Sequence, residues 1–161
     1  MSNDAAIPPD GRHRYHLRVY FEDTDAGGIV YHANYLRFAE RARTEALRDM
    51  GIPHAEMMER FGLMFVVRKV DVEYLRAARL DDSLVVETTA VEVAGASVLL
   101  RQDVIGPDGA CATLMLRLAC IRAGGRKPER IPPAWRTTLA AFSDAGRGIQ
   151  GQDAAERGDR G

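Results

Sequence analysis

The chain predicts an α+β fold in which one long helix lies along a curved antiparallel sheet of about five strands. Three observations predict it: an apolar stripe at helical spacing between residues 34 and 50, period-two alternation in several later segments, and glycine-containing turns that separate those segments.

Taken in chain order, Tyr15 to Phe21 reads as a first strand that runs into the acidic turn Glu22-Asp23-Thr24-Asp25 and the pair Gly27-Gly28. The helix follows from about Asn34 to Met50. Tyr35, Leu36, Phe38, Ala39, Ala42, Ala46, Leu47 and Met50 recur at helical spacing and bury one face, and Gly51-Ile52-Pro53 ends it. The other face carries Arg37, Arg41, Arg43, Glu45, Arg48 and Asp49, read as solvated, with Arg41 and Glu45 paired one turn apart. His54 to Phe61 reads as a short helix before Gly62 opens the strands. Val66, Val70, Val72 and Tyr74 recur at even spacing from Leu63 onward, and Leu84 to Val93 is rich in Val and Thr, so both are strands. Gly95 separates the second from a strand over Val98 to Ile105. Gly106-Pro107-Asp108-Gly109 then turns tightly into Cys111 to Arg122, where Ala112, Leu114, Leu116, Leu118 and Cys120 share one face. Pro132-Pro133-Ala134-Trp135 opens a last helix to about Phe142, with Trp135 assigned to core or interface packing.

A length of 161 residues with a 46% hydrophobic share suits one domain, placed at residues 14–142. Residues 1–13 read as a flexible N-terminal segment and 143–161, rich in Gly, Asp, Gln and Arg, as a disordered tail. The stretch Met1 to Arg14 has prolines and charges without an apolar block, so no signal peptide or membrane span is expected and the location is cytoplasmic. A formal charge of −1, with basic residues scattered among acids, gives no footprint for nucleic acid. Cys111 and Cys120 lie an odd number of residues apart on one strand, which points them to opposite faces and argues against a bridge. No cysteine or histidine spacing suggests a metal site.

The residues that carry chemistry run from Phe21 to Tyr35: Phe-Glu-Asp-Thr-Asp-Ala-Gly-Gly-Ile-Val-Tyr-His-Ala-Asn-Tyr. A carboxylate and the first turn of a helix border one small volume. The free N–H groups of such a turn can hold a developing oxyanion, while an aspartate attacks or draws a proton from water. Gly27 and Gly28 allow a ligand carbonyl to lie against the main chain. The same residues also fit an ordinary turn in which aspartates bond local N–H groups. A calcium loop fits poorly, because Gly27 and Asn34 stand where that pattern needs an oxygen ligand and a glutamate.

The ungapped run Glu22 to Tyr35 resembles the signature of the 4-hydroxybenzoyl-CoA thioesterase family of hotdog-fold proteins. Within that family it is most similar to the YbgC branch of acyl-CoA thioesterases associated with the bacterial Tol-Pal system. Weaker similarity extends from about Tyr15 to Phe142, including Phe38, Arg41 and Glu45 on the helix. The resemblance implies a hotdog fold, assembled as a homodimer or homotetramer with the active site between subunits. It also implies hydrolysis of an acyl-CoA thioester to free acid and CoA, with Asp25 as nucleophile or general base and no cofactor, CoA being part of the substrate. The oxyanion donors would be main-chain N–H groups near His32 and Ala33. His32 is then an assisting or lining group, and Gly27, Gly28, Val30, Tyr31, Ala33, Asn34 and Tyr35 form the substrate-contacting set. Asn34 is also a candidate helix cap and Asp23 a turn former. Met57, Met58 and residues 62–65 are candidates for the acyl pocket, and Arg68, Lys69, Arg76, Arg79 and Arg101 for the CoA phosphates. The alternative class is a hotdog scaffold that binds acyl carrier protein or lipid-synthesis enzymes with little catalysis.

Overall fold

The computed structural model describes residues 6–158, with 149–158 as backbone only. The elements are β1 (His13–Arg18), a single 3-10 turn (Phe21–Asp23), α1 (Asn34–Asp49), α2 (His54–Phe61), β2 (Leu63–Tyr74), β3 (Ser83–Val93), β4 (Ser97–Gly106), β5 (Gly109–Arg122) and α3 (Pro133–Gly158). The strands form one sheet in the order β1-β3-β4-β5-β2, every neighbouring pair antiparallel. α1 packs along one face of it. This is the α+β hotdog arrangement, with β1 and β2 as its edges.

The face of α1 that meets the sheet explains why the helix lies so close. Ala39 and Ala42 are fully buried and Ala46 nearly so, small enough to let the helix backbone approach the strands, while Phe38 fills the space between them. Their burial divides the core in two along the helix. Phe38, Ala39 and Ala42 pack with Leu84, Val86, Val104, Leu114 and Leu116. Ala46, Leu47 and Met50 pack with Leu100, Leu118, Trp135 and Phe142. Each large apolar side chain withdrawn in this way contributes about 1.5–3 kcal/mol. Trp135 is therefore a core residue, its ring edge-on to Phe61 at a centroid distance of 5.3 Å.

Several expectations need correction. The first strand ends at Arg18, and residues 21–23 form a 3-10 turn because the Asp23 carboxylate accepts the Tyr20 N–H (2.8 Å) and the Asp23 N–H donates to the Tyr20 carbonyl (3.0 Å). Glu45 pairs with Arg48, not with Arg41. Cys111 and Cys120 both point inward. Ala110 and Ala112 pair with the adjacent residues Ile105 and Val104, so Cys111 is an extra residue in a bulge and drops out of the alternation. Both thiols are free and buried, one in each half of the core.

The two ends of the chain also differ from expectation. Residues 143–158 continue α3 where a disordered tail was expected, and residues 1–5 and 159–161 lie outside the described residues. Phe142 and Ser143 are buried. Ile7, from the segment expected to be flexible, packs against the same half of the core. The glycines that suggested disorder act instead as a packing contact: a Cβ on Gly11 would sit 2.1 Å from the Gly146 nitrogen, so the two backbones touch.

Two predictions follow from this packing. Gly11 has φ +66° and no room for a methyl group, so Gly11→Ala should destabilise the fold by about 1–3 kcal/mol. A Cβ on Gly146 would meet nothing nearer than 3.8 Å, so Gly146→Ala should stabilise by up to about 1 kcal/mol through helix propensity. Equal effects of the two substitutions in urea unfolding would contradict the close approach. A pH dependence arises at the start of α2. Burial, and secondly the charge of Arg43, push the His54 imidazole below its ordinary value of 6.5. The neutral ring therefore contributes stability fully above that value, which is lost as pH falls through the lowered folded value. Replacing His54 with Gln should flatten this part of the stability profile.

Candidate active site

Residues 23–31 form a small hairpin laid against the body of the domain. Thr24 and Val30 bridge across it, the Asp25 N–H donates to the Ile29 carbonyl (2.8 Å), and the Tyr31 N–H donates to the Asp23 carbonyl (2.9 Å). Asp25 to Gly28 form the tip. Gly28 turns the chain at φ +77°, where a side chain would be strained. The tip is exposed, and the Asp25 Oδ1 accepts the Gly27 N–H at 2.8 Å. The Asp25 Oδ2 has no hydrogen-bond or ion-pair partner among the described residues.

Buried groups hold this exposed tip in place. Val30 is in the core and its N–H donates to the Ala78 carbonyl (2.9 Å). The Tyr35 hydroxyl accepts the Ala78 N–H (3.1 Å), and burial pushes that phenol up, so it stays neutral. Asn34 does not cap α1. It is the first helical residue, and its side-chain Nδ2 donates to the Asp23 carbonyl at 2.8 Å, tying helix to hairpin. The N-cap is Ala33, which has no capping side chain. Among the described residues, the His32 and Ala33 N–H groups therefore find no acceptor, although they stand at the positive end of a helix dipole.

Of the sequence-predicted set, Asp25, Gly27, Gly28, Tyr31 and His32 are exposed, Ala33 is partly buried, and Val30, Asn34 and Tyr35 are buried beneath them. Asp23 acts in the turn as expected. The Tyr31 and His32 rings lie 4.5 Å apart. Tyr74, from the end of β2, was read only as a strand residue. Its hydroxyl donates to the His32 carbonyl (2.9 Å), and its ring stands edge-on to His32 at 6.3 Å and to Tyr35 at 5.6 Å. Even spacing placed Tyr74 on a strand, but nothing in the sequence connects it with a histidine so far away.

A cavity of about 380 Å³ lies further along α1, between that helix, α2, α3 and the sheet. Met50, Met58, Met64, Phe65, Leu139 and Phe142 give it apolar walls. Met58, Met64 and Phe65 were candidates for an acyl pocket, whereas Met57 is completely buried in the core. Arg43, expected on the solvated face, lines this cavity with Glu40, Thr44 and His54. None of the loop residues 23–33 does. Among the candidate CoA anchors, Lys69 faces Asp71 (3.6 Å) and Arg101 faces Asp103 (3.1 Å). Arg68, Arg76 and Arg79 are exposed and make no ion pair among the described residues.

Comparison with known proteins agrees with this architecture. Residues 19–142 match the family model of the thioesterase-like superfamily. The chain is 43% identical over 133 residues to the acyl-CoA thioesterase YbgC of Haemophilus influenzae, covering 83% of this chain and 96% of that protein. It is 42% identical over 124 residues to the acyl-CoA thioester hydrolase YbgC of Escherichia coli, covering 74% and 89%. Among solved structures, a probable thioesterase from Bartonella henselae superposes with a TM-score of 0.70 at 36% identity, covering 75% of this chain and 99% of that one. A Staphylococcus aureus protein solved in complex with CoA shares the fold at a TM-score of 0.77 and 17% identity, covering 83% and 85%. With its motif, sheet order and domain length all in agreement, the chain belongs to the thioesterase-like superfamily of hotdog proteins.

Proposed function

We propose that this protein hydrolyses an acyl-CoA thioester to a free acid and CoA, with Asp25 as the reacting carboxylate. The observation that carries the reading is the hairpin itself. It presents an exposed aspartate, oriented through Oδ1 by the Gly27 N–H, and leads directly into a helix start whose His32 and Ala33 N–H groups have no acceptor. The names of the YbgC relatives support the same substrate class.

In this scheme the thioester carbonyl accepts hydrogen bonds from the His32 and Ala33 N–H groups, which become stronger as the oxygen gains charge. Asp25 then acts in one of two ways. As nucleophile, it bonds to the carbonyl carbon, the C–S bond breaks, and CoA leaves as thiolate; water then cleaves the mixed anhydride. As general base, it takes a proton from the water that attacks the carbonyl. The exposure of Asp25 in one chain fits a site closed by a second copy, as a homodimer or homotetramer would provide. Of the candidate anchors, Arg68, Arg76 and Arg79 make no ion pair among the described residues and are available to the CoA phosphates. Tyr31 and His32 border the reacting group, and Asn34 and Tyr74 hold the main chain that bears the donors.

Asp25→Asn keeps an oxygen for the Gly27 N–H but removes the charge, so it should lower kcat by about 10²–10⁴ without changing the melting temperature. CoA release from short-chain, long-chain and aromatic acyl-CoAs, wild type beside variant, tests this. Slow turnover equal in both proteins would abandon the catalytic reading in favour of a scaffold that binds acyl carrier protein. Asn34→Ala removes the side-chain donor to the Asp23 carbonyl, which keeps the Tyr31 N–H, and should cost about 0.5–1.5 kcal/mol of stability. It should also lower kcat more than it raises KM, because it loosens the hairpin from the helix. A loss of stability with unchanged kinetics would deny Asn34 that positioning role.

A further inference from the structure

The cavity along α1 contains a cation that the proposed hydrolysis does not use. Arg43 projects from the middle of the helix into the space bounded by α2, α3 and the sheet, among methionine, leucine and phenylalanine side chains. Its one hydrogen bond among the described residues runs from Nη1 to the Gln102 Oε1 at 3.0 Å. Gln102 is fully buried and has no freedom to turn: its Nε2 donates to the Ala39 carbonyl (2.9 Å) and to the Thr88 Oγ1 (3.0 Å). Gln102 therefore aims the guanidinium. No carboxylate lies within ion-pairing distance of it among the described residues, and burial draws Arg43 down from its ordinary value. Glu40, one turn earlier, is exposed at the cavity wall and makes no ion pair with it.

A partly buried guanidinium with most of its donors unused favours a planar anion that accepts two parallel hydrogen bonds, which a carboxylate does. Apart from Glu40, Thr44, His54 and Thr88, the remaining walls are apolar. Three of them, Met50, Met58 and Met64, are flexible thioethers that adjust to an aliphatic chain. The volume falls within the range of small-molecule pockets, roughly 300–1,000 Å³. From Glu40 to Met50 the cavity follows α1 for roughly 15 Å, at about 1.5 Å per residue. A neutral alkyl chain would fill the walls but leave the cation unpaired.

We propose that this cavity is a binding site for a medium-chain aliphatic carboxylate, with its carboxylate on the Arg43 guanidinium and its tail among Met50, Met58, Met64 and Phe65. Glu40 competes weakly for the same cation from the solvent side. Within one chain no residue of the Asp25 hairpin lines it, and binding there does not depend on hydrolysis.

Decanoate and 1-decanol, which share the chain but differ in charge, are the probes. In calorimetric titrations of the full-length protein, decanoate should bind at least about tenfold tighter than 1-decanol, as a charge-assisted hydrogen bond requires. Arg43→Gln should reduce that difference to within about twofold. Arg43→Lys, which keeps the charge but loses the planar pair of donors, should weaken decanoate binding and leave that of 1-decanol unchanged, which keeps the test decisive if the first variant fails to fold. Bound decanoate should also raise the titration midpoint of the His54 imidazole in NMR spectra, because an anion on Arg43 offsets the charge that lowers it. Asp25→Asn should bind decanoate like the wild type, so failure of the hydrolytic reading would be seen separately. Equal affinity for the two probes, binding unaffected by Arg43→Gln, or an unmoved His54 midpoint would overturn the proposal. Absence of decanoate binding, as when a second copy of the chain occupies Arg43, would overturn it too.

Discussion

The packing of α1 on the inner face of the sheet is the constraint on which the rest of the molecule depends. Ala39, Ala42 and Ala46 bring the helix close, and Phe38 locks it laterally against the strands. Once that contact is set, the start of the helix must emerge beside the edge where residues 75–82 cross the sheet end. The hairpin 23–31 is hung between those two features, through Val30 and Tyr35 to Ala78 and through Asn34 to Asp23. An exposed loop tip is ordinarily the least constrained part of a fold. Here the buried Val30, Asn34 and Tyr35 anchor its base through hydrogen bonds to Ala78 and Asp23, so the tip can present a carboxylate in a fixed place.

The same helix divides the core, and the two halves differ in physical character. Around Phe38 the contacts are small, branched or aromatic and close-packed. Beyond Ala46 the cavity walls include three methionines and are completed by α3, an element that reaches the sheet from the far end of the chain. Rigidity suits a site that must hold donors within a fraction of an ångström of a reacting oxygen. Adaptable walls suit the binding of a flexible chain. Both properties follow from side-chain choice along one helix.

Much of this was legible in the sequence. The bounds of α2 and β2 were read correctly because a proline and a left-handed glycine mark them, and α1 because its apolar stripe is long and regular. The run from Glu22 to Tyr35 was read as an acidic turn and a glycine pair that lead into a helix; the hairpin that these residues form was not. What could not be read depends on tertiary context. Arg43 has the same local sequence surroundings as its solvated neighbours, and only the position of α2 and Gln102 turns it inward. Tyr74 meets His32 because β2 is an edge strand that ends beside α1, a consequence of strand order rather than of composition. Glycine in residues 143–158 has the composition of disorder, but Gly146 lies where the backbone of Gly11 touches α3, and the absence of a side chain on Gly11 makes that contact possible.

The charges along α1 complete the argument. Its N-terminal turn carries positive partial charge and no capping side chain, a state that costs stability in an isolated helix and is retained where an anion or oxyanion must be received. Nearly three turns on, a full positive charge is taken into a largely apolar cavity with one neutral hydrogen-bond partner, which also costs stability unless an anion arrives. Neither cost is needed to form the helix, whose apolar face already secures it. Under the proposed hydrolysis and the proposed carboxylate site, both uncompensated positive sites serve recognition of negative charge, one developing during a reaction and one carried by a ligand, at two places along a single rigid element.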